Sequence, residues 1–158
     1  MPFARLHPLA LVAVLAVAAL PALARAQATP DVTGKWKVAY VAGRTIEYGE
    51  ETVHTDTTVL TVTAQGDSVV ATFPGGRRPD GSVAMVTLRG TRTPQGATLS
   101  MTRKIRINEN GNETTPEVVI TWVLRVDGNA LSGETSMSGM SNGPPMGGPL
   151  TGTRVAGA

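Results

Sequence analysis

Residues 97–131 read ATLSMTRKIRINENGNETTPEVVITWVLRVDGNAL, and two turns inside this stretch decide the fold. Asn110-Gly111 is the strongest short hairpin signal, because both residues tolerate the positive φ that a two-residue turn requires. Centring a hairpin there sets Arg103 opposite Val118, Met101 opposite Ile120 and Leu99 opposite Trp122. Gly128-Asn129 acts one strand later: Val126 falls opposite Leu131, Trp122 opposite Thr135 and Ile120 opposite Met137. The two turns independently put apolar side chains on one face of three consecutive strands. The alternate residues Ser100, Thr102, Lys104 and Arg106 are wholly polar. A slip of one residue would exchange the two faces.

The pattern extends toward the N-terminus. Gly66-Asp67, a Gly-first turn, places Ala64 opposite Val69, Val62 opposite Ala71 and Leu60 opposite Phe73. Thr93-Pro94-Gln95-Gly96 is ambiguous, and there the hydrophobic pattern favours Val86 opposite Ile105 and Leu88 opposite Arg103. Strands are expected near 34–42, 53–64, 68–73, 83–92, 97–107, 117–127, 130–138 and 149–155. The longer connections, 43–52, 74–82, 108–116 and 139–148, are expected as loops. A meander of consecutive hairpins with one apolar face and no packing helix favours an all-β, eight-stranded antiparallel up-and-down barrel, because closure leaves no edges. A Greek-key sandwich would need long cross-connections.

The first residues have a different character. Arg5 precedes an apolar run from Leu9 to Leu20; Pro21 ends it, and Ala22, Ala24, Ala26 and Ala28 follow. This is the pattern of a secretory leader, residues 1–28, with cleavage after Ala26 or Ala28. The run is short of the ~20 residues that cross a bilayer, so no stable membrane span is expected after cleavage. Residues 29–158 then form one domain, exported to the periplasm or the extracellular space of a bacterium. The chain has no cysteine, so its stability rests on core and sheet closure rather than on disulfides. Lys and Arg number 14 against 12 Asp and Glu, and removing Arg5 and Arg25 balances the charge. With no basic stripe beyond Arg103–Arg106, nucleic acid is not an expected partner.

The expected domain opens Asp31-Val32-Thr33-Gly34-Lys35-Trp36 and closes Leu150-Thr151-Gly152-Thr153-Arg154. A Gly-x-Trp on the first strand with an Arg near the end of the last resembles the lipocalins and the wider calycin barrels. The resemblance implies that Trp36 closes the barrel floor and Arg154 packs across it, a structural role. Stacking of a guanidinium on an indole is favourable. Asp127 is the one residue that matches the family's middle motif. Thr33–Trp36 also looks a little like avidin, but biotin-binding barrels surround their ligand with several tryptophans, and this chain has two.

Arg103 is the sharpest candidate for chemistry. The registers place it on the apolar face beside Met101, Val118 and Leu88. A guanidinium buried there needs an anionic or hydrogen-bonding partner, and the inward residues of the neighbouring strands offer no carboxylate. Fatty-acid-binding relatives hold a carboxylate with an interior Arg and Tyr, and the resemblance implies that role for Arg103 and Tyr40, with Trp122 and Met101 beside them. The alternative reading puts Arg103 at the rim with its head in water.

Other clusters point to less. His54, with Asp56, Glu50 and Glu51, lacks a metal-specific spacing. Met137, Met140 and Met146 lie in a Gly/Pro-rich stretch, where methionines pack adaptably. No metal or cofactor is expected, and no nucleophile–base set is present, so the domain is read as non-enzymatic. The expectation is a barrel that binds a small hydrophobic or anionic amphiphilic ligand. The rival is a cell-envelope or secreted interaction module with a filled core.

Overall fold

The computed structural model describes residues 30–109, 112–139 and 146–157. The expected leader, the Asn110-Gly111 turn and Met140 lie outside the described residues. The strands are β1 (Gly34–Glu47), β2 (Glu50–Gln65), β3 (Ser68–Arg77), β4 (Val83–Thr93), β5 (Gly96–Lys104), β6 (Ile107–Glu109), β7 (Asn112–Thr114), β8 (Glu117–Asp127), β9 (Ala130–Ser138) and β10 (Met146–Arg154). Eight of them close into an antiparallel barrel in the order β1-β10-β9-β8-β5-β4-β3-β2, while β6 and β7 form a separate ribbon.

The turn chemistry set most registers as expected. Val62 pairs with Ala71 and Ala64 with Val69. Arg103 pairs with Val118, Met101 with Ile120 and Leu99 with Trp122. Trp122 pairs with Thr135, and Val126 with Leu131. The β4–β5 register differs from the expectation. Thr93 pairs with Gly96 and Arg89 with Ser100, so Pro94-Gln95 is a two-residue turn and the ladder is shifted by two. A shift of two keeps every side chain on its own face, which is why the hydrophobic pattern could not detect it.

Two expected loops are β-ribbons. Segment 43–52 continues β1 and β2 around Tyr48 (φ 53) and Gly49 (φ 86), so both central residues have the positive φ of a tight hairpin turn. Tyrosine is not a residue that announces that conformation. Segment 108–116 contains the β6–β7 ribbon, which keeps the β5–β8 register: Lys104 pairs with Glu117 and Ile107 with Thr114.

The two ends of the barrel are built differently. At the base the described turns are short, and each is tied to the next hairpin. The N–H of Arg92 donates to the Asp67 carbonyl, that of Val126 to Gln95 and that of Arg154 to Asn129, each at 2.9 Å. The Val155 N–H completes the ring on the Lys35 carbonyl at 2.8 Å. Above the base, Trp36, Val38, Leu60, Leu88, Leu99, Leu124 and Leu150 are fully buried and fill the lumen.

Toward the other end three seams stop early. β2 pairs with β3 only through Thr61–Gln65 and Ser68–Thr72. β4 pairs with β5 only through Arg89–Thr93 and Gly96–Ser100. β1 pairs with β10 only through Trp36–Tyr40 and Leu150–Arg154. Beyond those levels the β1–β2 and β3–β4 hairpins continue as two-stranded arms. Register breaks at Val41/Gly43 in β1 and Pro74/Arg77 in β3 bend the arms where they leave the wall, the usual effect of bulges. Pro74 has no N–H to give a ladder.

Candidate functional site

At the base, Trp36 and Arg154 face each other across the β1–β10 seam. The guanidinium carbon lies 4.2 Å from the indole centroid. Its Nη1 and Nη2 donate to the carbonyls of Thr33 and Asp31 at 2.6 and 2.7 Å. The Trp36 Nε1–H donates to the Val32 carbonyl at 2.9 Å. Gly34 has φ +110°, and a Cβ there would stand 2.9 Å from Arg154 Nη1. The Gly-x-Trp spacing thus follows from a left-handed residue beneath the arginine. The Asp31 carboxylate accepts from the Thr33 N–H and hydroxyl at 3.0 and 2.7 Å, and these bonds hold it below the ordinary carboxylate range. This end is sealed, and neither Trp36 nor Arg154 lines the cavity at the mouth.

The other end is hollow. A cavity of about 310 Å³ opens between the arms and the wall, at the small end of the ~300–1,000 Å³ usual for ligand pockets. Its floor is aromatic. Phe73 stacks on Trp122 with centroids 5.1 Å apart, and Tyr40 meets Trp122 at 5.2 Å and Phe73 at 6.4 Å. These rings come from β1, β3 and β8, separate parts of the wall, so they meet only because the barrel closes. Above them Met101, Ile120, Met137 and Met146 form an apolar side. The residues on that side follow one row of the sheet: Met101 pairs with Ile120, Ile120 with Met137 and Met137 with Met146. Thr135 is buried and donates to the Gly148 carbonyl at 3.3 Å.

Tyr40, Trp122, Met101 and Arg103, singled out from the sequence, all line this cavity. Arg103 requires a correction. It faces the lumen side as its register demands, but it is exposed at the mouth. The argument from an unpaired charge buried in the interior therefore does not apply, and the rim position is the observed one. Strand parity gives a side chain's face but not its height.

The inward positions of β4 and β8 beside Arg103 carry no carboxylate, as expected, but one lines the cavity from farther round the wall: Asp56 on β2. Asp56 pairs with Tyr40 across the β1–β2 ladder. Burial first, and then the Asp56 charge, push the Tyr40 phenol above its ordinary value. Asp56 Oδ1 accepts from the Thr57 N–H at 2.7 Å. Arg44 is a second cation at the mouth, and it is neutralised in place. Its Nη1 reaches Glu51 Oε1 at 2.7 Å and its Nη2 donates to the Gly147 carbonyl at 3.1 Å. Among the described residues the ion pairs are Arg44–Glu51 and Arg106–Glu113, and Arg103 takes part in neither. His54 Nε2 lies 2.8 Å from Thr45 Oγ1 on the exposed arm.

Phe73, Asp56 and Arg44 belong to the site and were not selected from the sequence. Phe73 had been placed on the right face, without any indication of which rings it would meet. Asp56 and Arg44 sit on arms expected as a strand start and a loop. Comparison of the chain with models of protein families, with curated proteins and with solved structures finds no match.

Proposed function

We propose that this chain is an exported, non-enzymatic, lipocalin-like carrier barrel that takes a small apolar or amphipathic ligand at its open end. The observation that carries the reading is the contrast within one lumen. The lower half is filled to the base, while the upper half keeps about 310 Å³ of space over an aromatic floor. An eight-stranded barrel is wide enough either to fill with side chains or to hold one small ligand. Here side chains fill one end and spare the other. Apolar walls with a few polar groups at the opening are what a pocket for an amphiphile needs. The Gly34-Lys35-Trp36 and Arg154 arrangement supports the lipocalin-like part of the proposal. The leader-like pattern of residues 1–28, an apolar run after Arg5 followed by small residues, supports export to the periplasm or the extracellular space.

Native mass spectrometry of protein purified from its own host tests this reading. The expected result is a retained organic molecule that dissociates on activation, or uptake of a small amphiphile by the stripped protein. Bare protein that also refuses every added probe would contradict it.

A second reading, an interaction module, is favoured by one observation. The β2 half of the first arm, Glu50–Thr57, is exposed along its whole length, and Tyr48 at the tip is fully exposed. Two-stranded ribbons are marginal alone and commonly gain from a third strand. Retention of a partner protein on the immobilised chain, lost when Tyr48 and Val53 are replaced by Ser, would support it.

A further inference from the structure

The charges around the cavity mouth define a more specific ligand than its walls do. Among the described residues three charged side chains line it: Arg44, Asp56 and Arg103. The charge of Arg44 is matched by Glu51 at 2.7 Å. That leaves one cation, Arg103 on β5, and one anion, Asp56 on β2. They stand three strands apart around the eight-stranded wall, with the β3–β4 arm between them. They are therefore separated across the opening, and they form no ion pair with each other. Asp56 accepts from the Thr57 N–H and from the Tyr40 phenol beside it, and a carboxylate with about four lone-pair sites keeps further acceptor capacity. Arg103 offers a fork of N–H donors suited to a carboxylate or phosphate. Tyr40, the cross-strand partner of Asp56, forms the aromatic floor with Phe73 and Trp122.

From this arrangement we infer that the preferred ligand is a zwitterionic amphiphile, its cationic end held at Asp56, its anionic end at Arg103 and its apolar part on the aromatic floor. The inference rests on the ligand-binding reading above and deepens it. A purely anionic amphiphile would satisfy Arg103 and be repelled by Asp56. A purely cationic one would meet the reverse. A neutral one would use the floor alone. Only a molecule with both charges at one end uses both sides of the opening.

The test uses four probes built on a ten-carbon chain: decanol, decanoate, decylamine and 3-(decylamino)propanoate, whose secondary ammonium keeps N–H donors for Asp56. Each is titrated below its micelle concentration into the full domain and into Arg103→Met and Asp56→Asn. Both charges are exposed, so each contact is worth about two- to fivefold in affinity, the range of a solvent-exposed ion pair. The zwitterion is expected to bind tightest, by about fivefold or more over decanol. Arg103→Met should weaken the zwitterion and decanoate and leave decylamine no weaker. Asp56→Asn should weaken the zwitterion and decylamine and leave decanoate no weaker. Both variants should keep the parent unfolding midpoint.

Equal affinity for zwitterion and decanol, tightest binding of decanoate or decylamine, or equal losses for all probes in either variant would overturn the inference while leaving the ligand-binding reading intact. Failure of all four probes, decanol included, would overturn the reading and the inference with it. Two-dimensional NMR on the parent domain supplies a readout independent of affinity. The zwitterion should move the Arg103 Nε–H signal, and decanol should not.

Discussion

The base and the mouth of this barrel are built from the same eight strands, yet one end is solid and the other hollow. The difference lies in how the seams are closed. At the base every strand is laddered to both neighbours, short turns receive a hydrogen bond from the next hairpin, and Trp36 under Arg154 plugs the centre. At the mouth three seams end early and two hairpins continue alone. Backbone that leaves a ladder gives up packing neighbours, and the space it frees is the cavity. Packing is thus concentrated at one end and the proposed ligand site lies at the other, as expected where binding elements come from the less stable part of a fold.

The largest effect should come from the base. Trp36→Ala removes a fully buried indole together with the surface on which Arg154 rests. It should cost about 3–5 kcal/mol in urea unfolding, as for other buried large aromatics. Met146→Ala, at the half-exposed mouth, should cost clearly less. Equal costs would mean that the two ends are not energetically distinct.

Gly34→Ala comes next. It forces an L side chain to φ +110° and pushes a methyl to within 2.9 Å of Arg154 Nη1, which should cost on the order of 1–3 kcal/mol. Gly49→Ala, on the first arm at φ +86° with open space around it, carries the backbone strain alone and should cost less. The pair separates conformational strain from the fit beneath Arg154.

Hydrogen exchange sharpens the comparison without mutation. The N–H groups of Val62, Val69, Leu99 and Leu124 should exchange only by global opening, and those of Thr52–Thr57 on the arm by local fraying. Uniform protection would show that the arms are held by something beyond their own ladder.

The two ends should also answer pH in opposite directions, by small amounts. Asp31 has a folded pKa below its ordinary value of 3.8. The stability it contributes is present above that value and is lost as pH falls toward the lower folded pKa. Tyr40 has a folded pKa above its ordinary value of 10.0. Its contribution is present below pH 10 and is lost as pH rises toward the raised folded pKa. Asp31→Asn should flatten the acid side of the stability profile and Tyr40→Phe the alkaline side. Each should leave the other side unchanged.

Much of the base could be read from the sequence, because turn residues fix registers locally. Gly66-Asp67 and Gly128-Asn129 each placed a strand pair correctly, and closure followed from the run of hairpins. The mouth was less legible. The Pro94-Gln95 turn shifted one ladder by two residues, a change that alternation cannot register. The Tyr48-Gly49 turn depends on a left-handed tyrosine, so residues 43–52 read as a loop and Arg44 escapes notice; Asp56 falls in the expected strand 53–64, where the sequence ties it only to His54. The meeting of Tyr40, Phe73 and Trp122 is a property of the closed wall. Alternation assigned each ring to the inside but could not say which rings would touch. Alternation likewise puts Arg103 on the inner face and leaves its depth open between interior and rim; it lies at the rim.

The chain has two tryptophans, one at each end of this contrast, and that permits a direct test. In a two-dimensional NMR titration with a short-chain amphiphile, the Trp122 indole N–H signal should move saturably, while the Trp36 signal, buried and bonded to the Val32 carbonyl, stays in place. Movement of the Trp36 signal instead, or of neither with any probe, would contradict a ligand site at the open end.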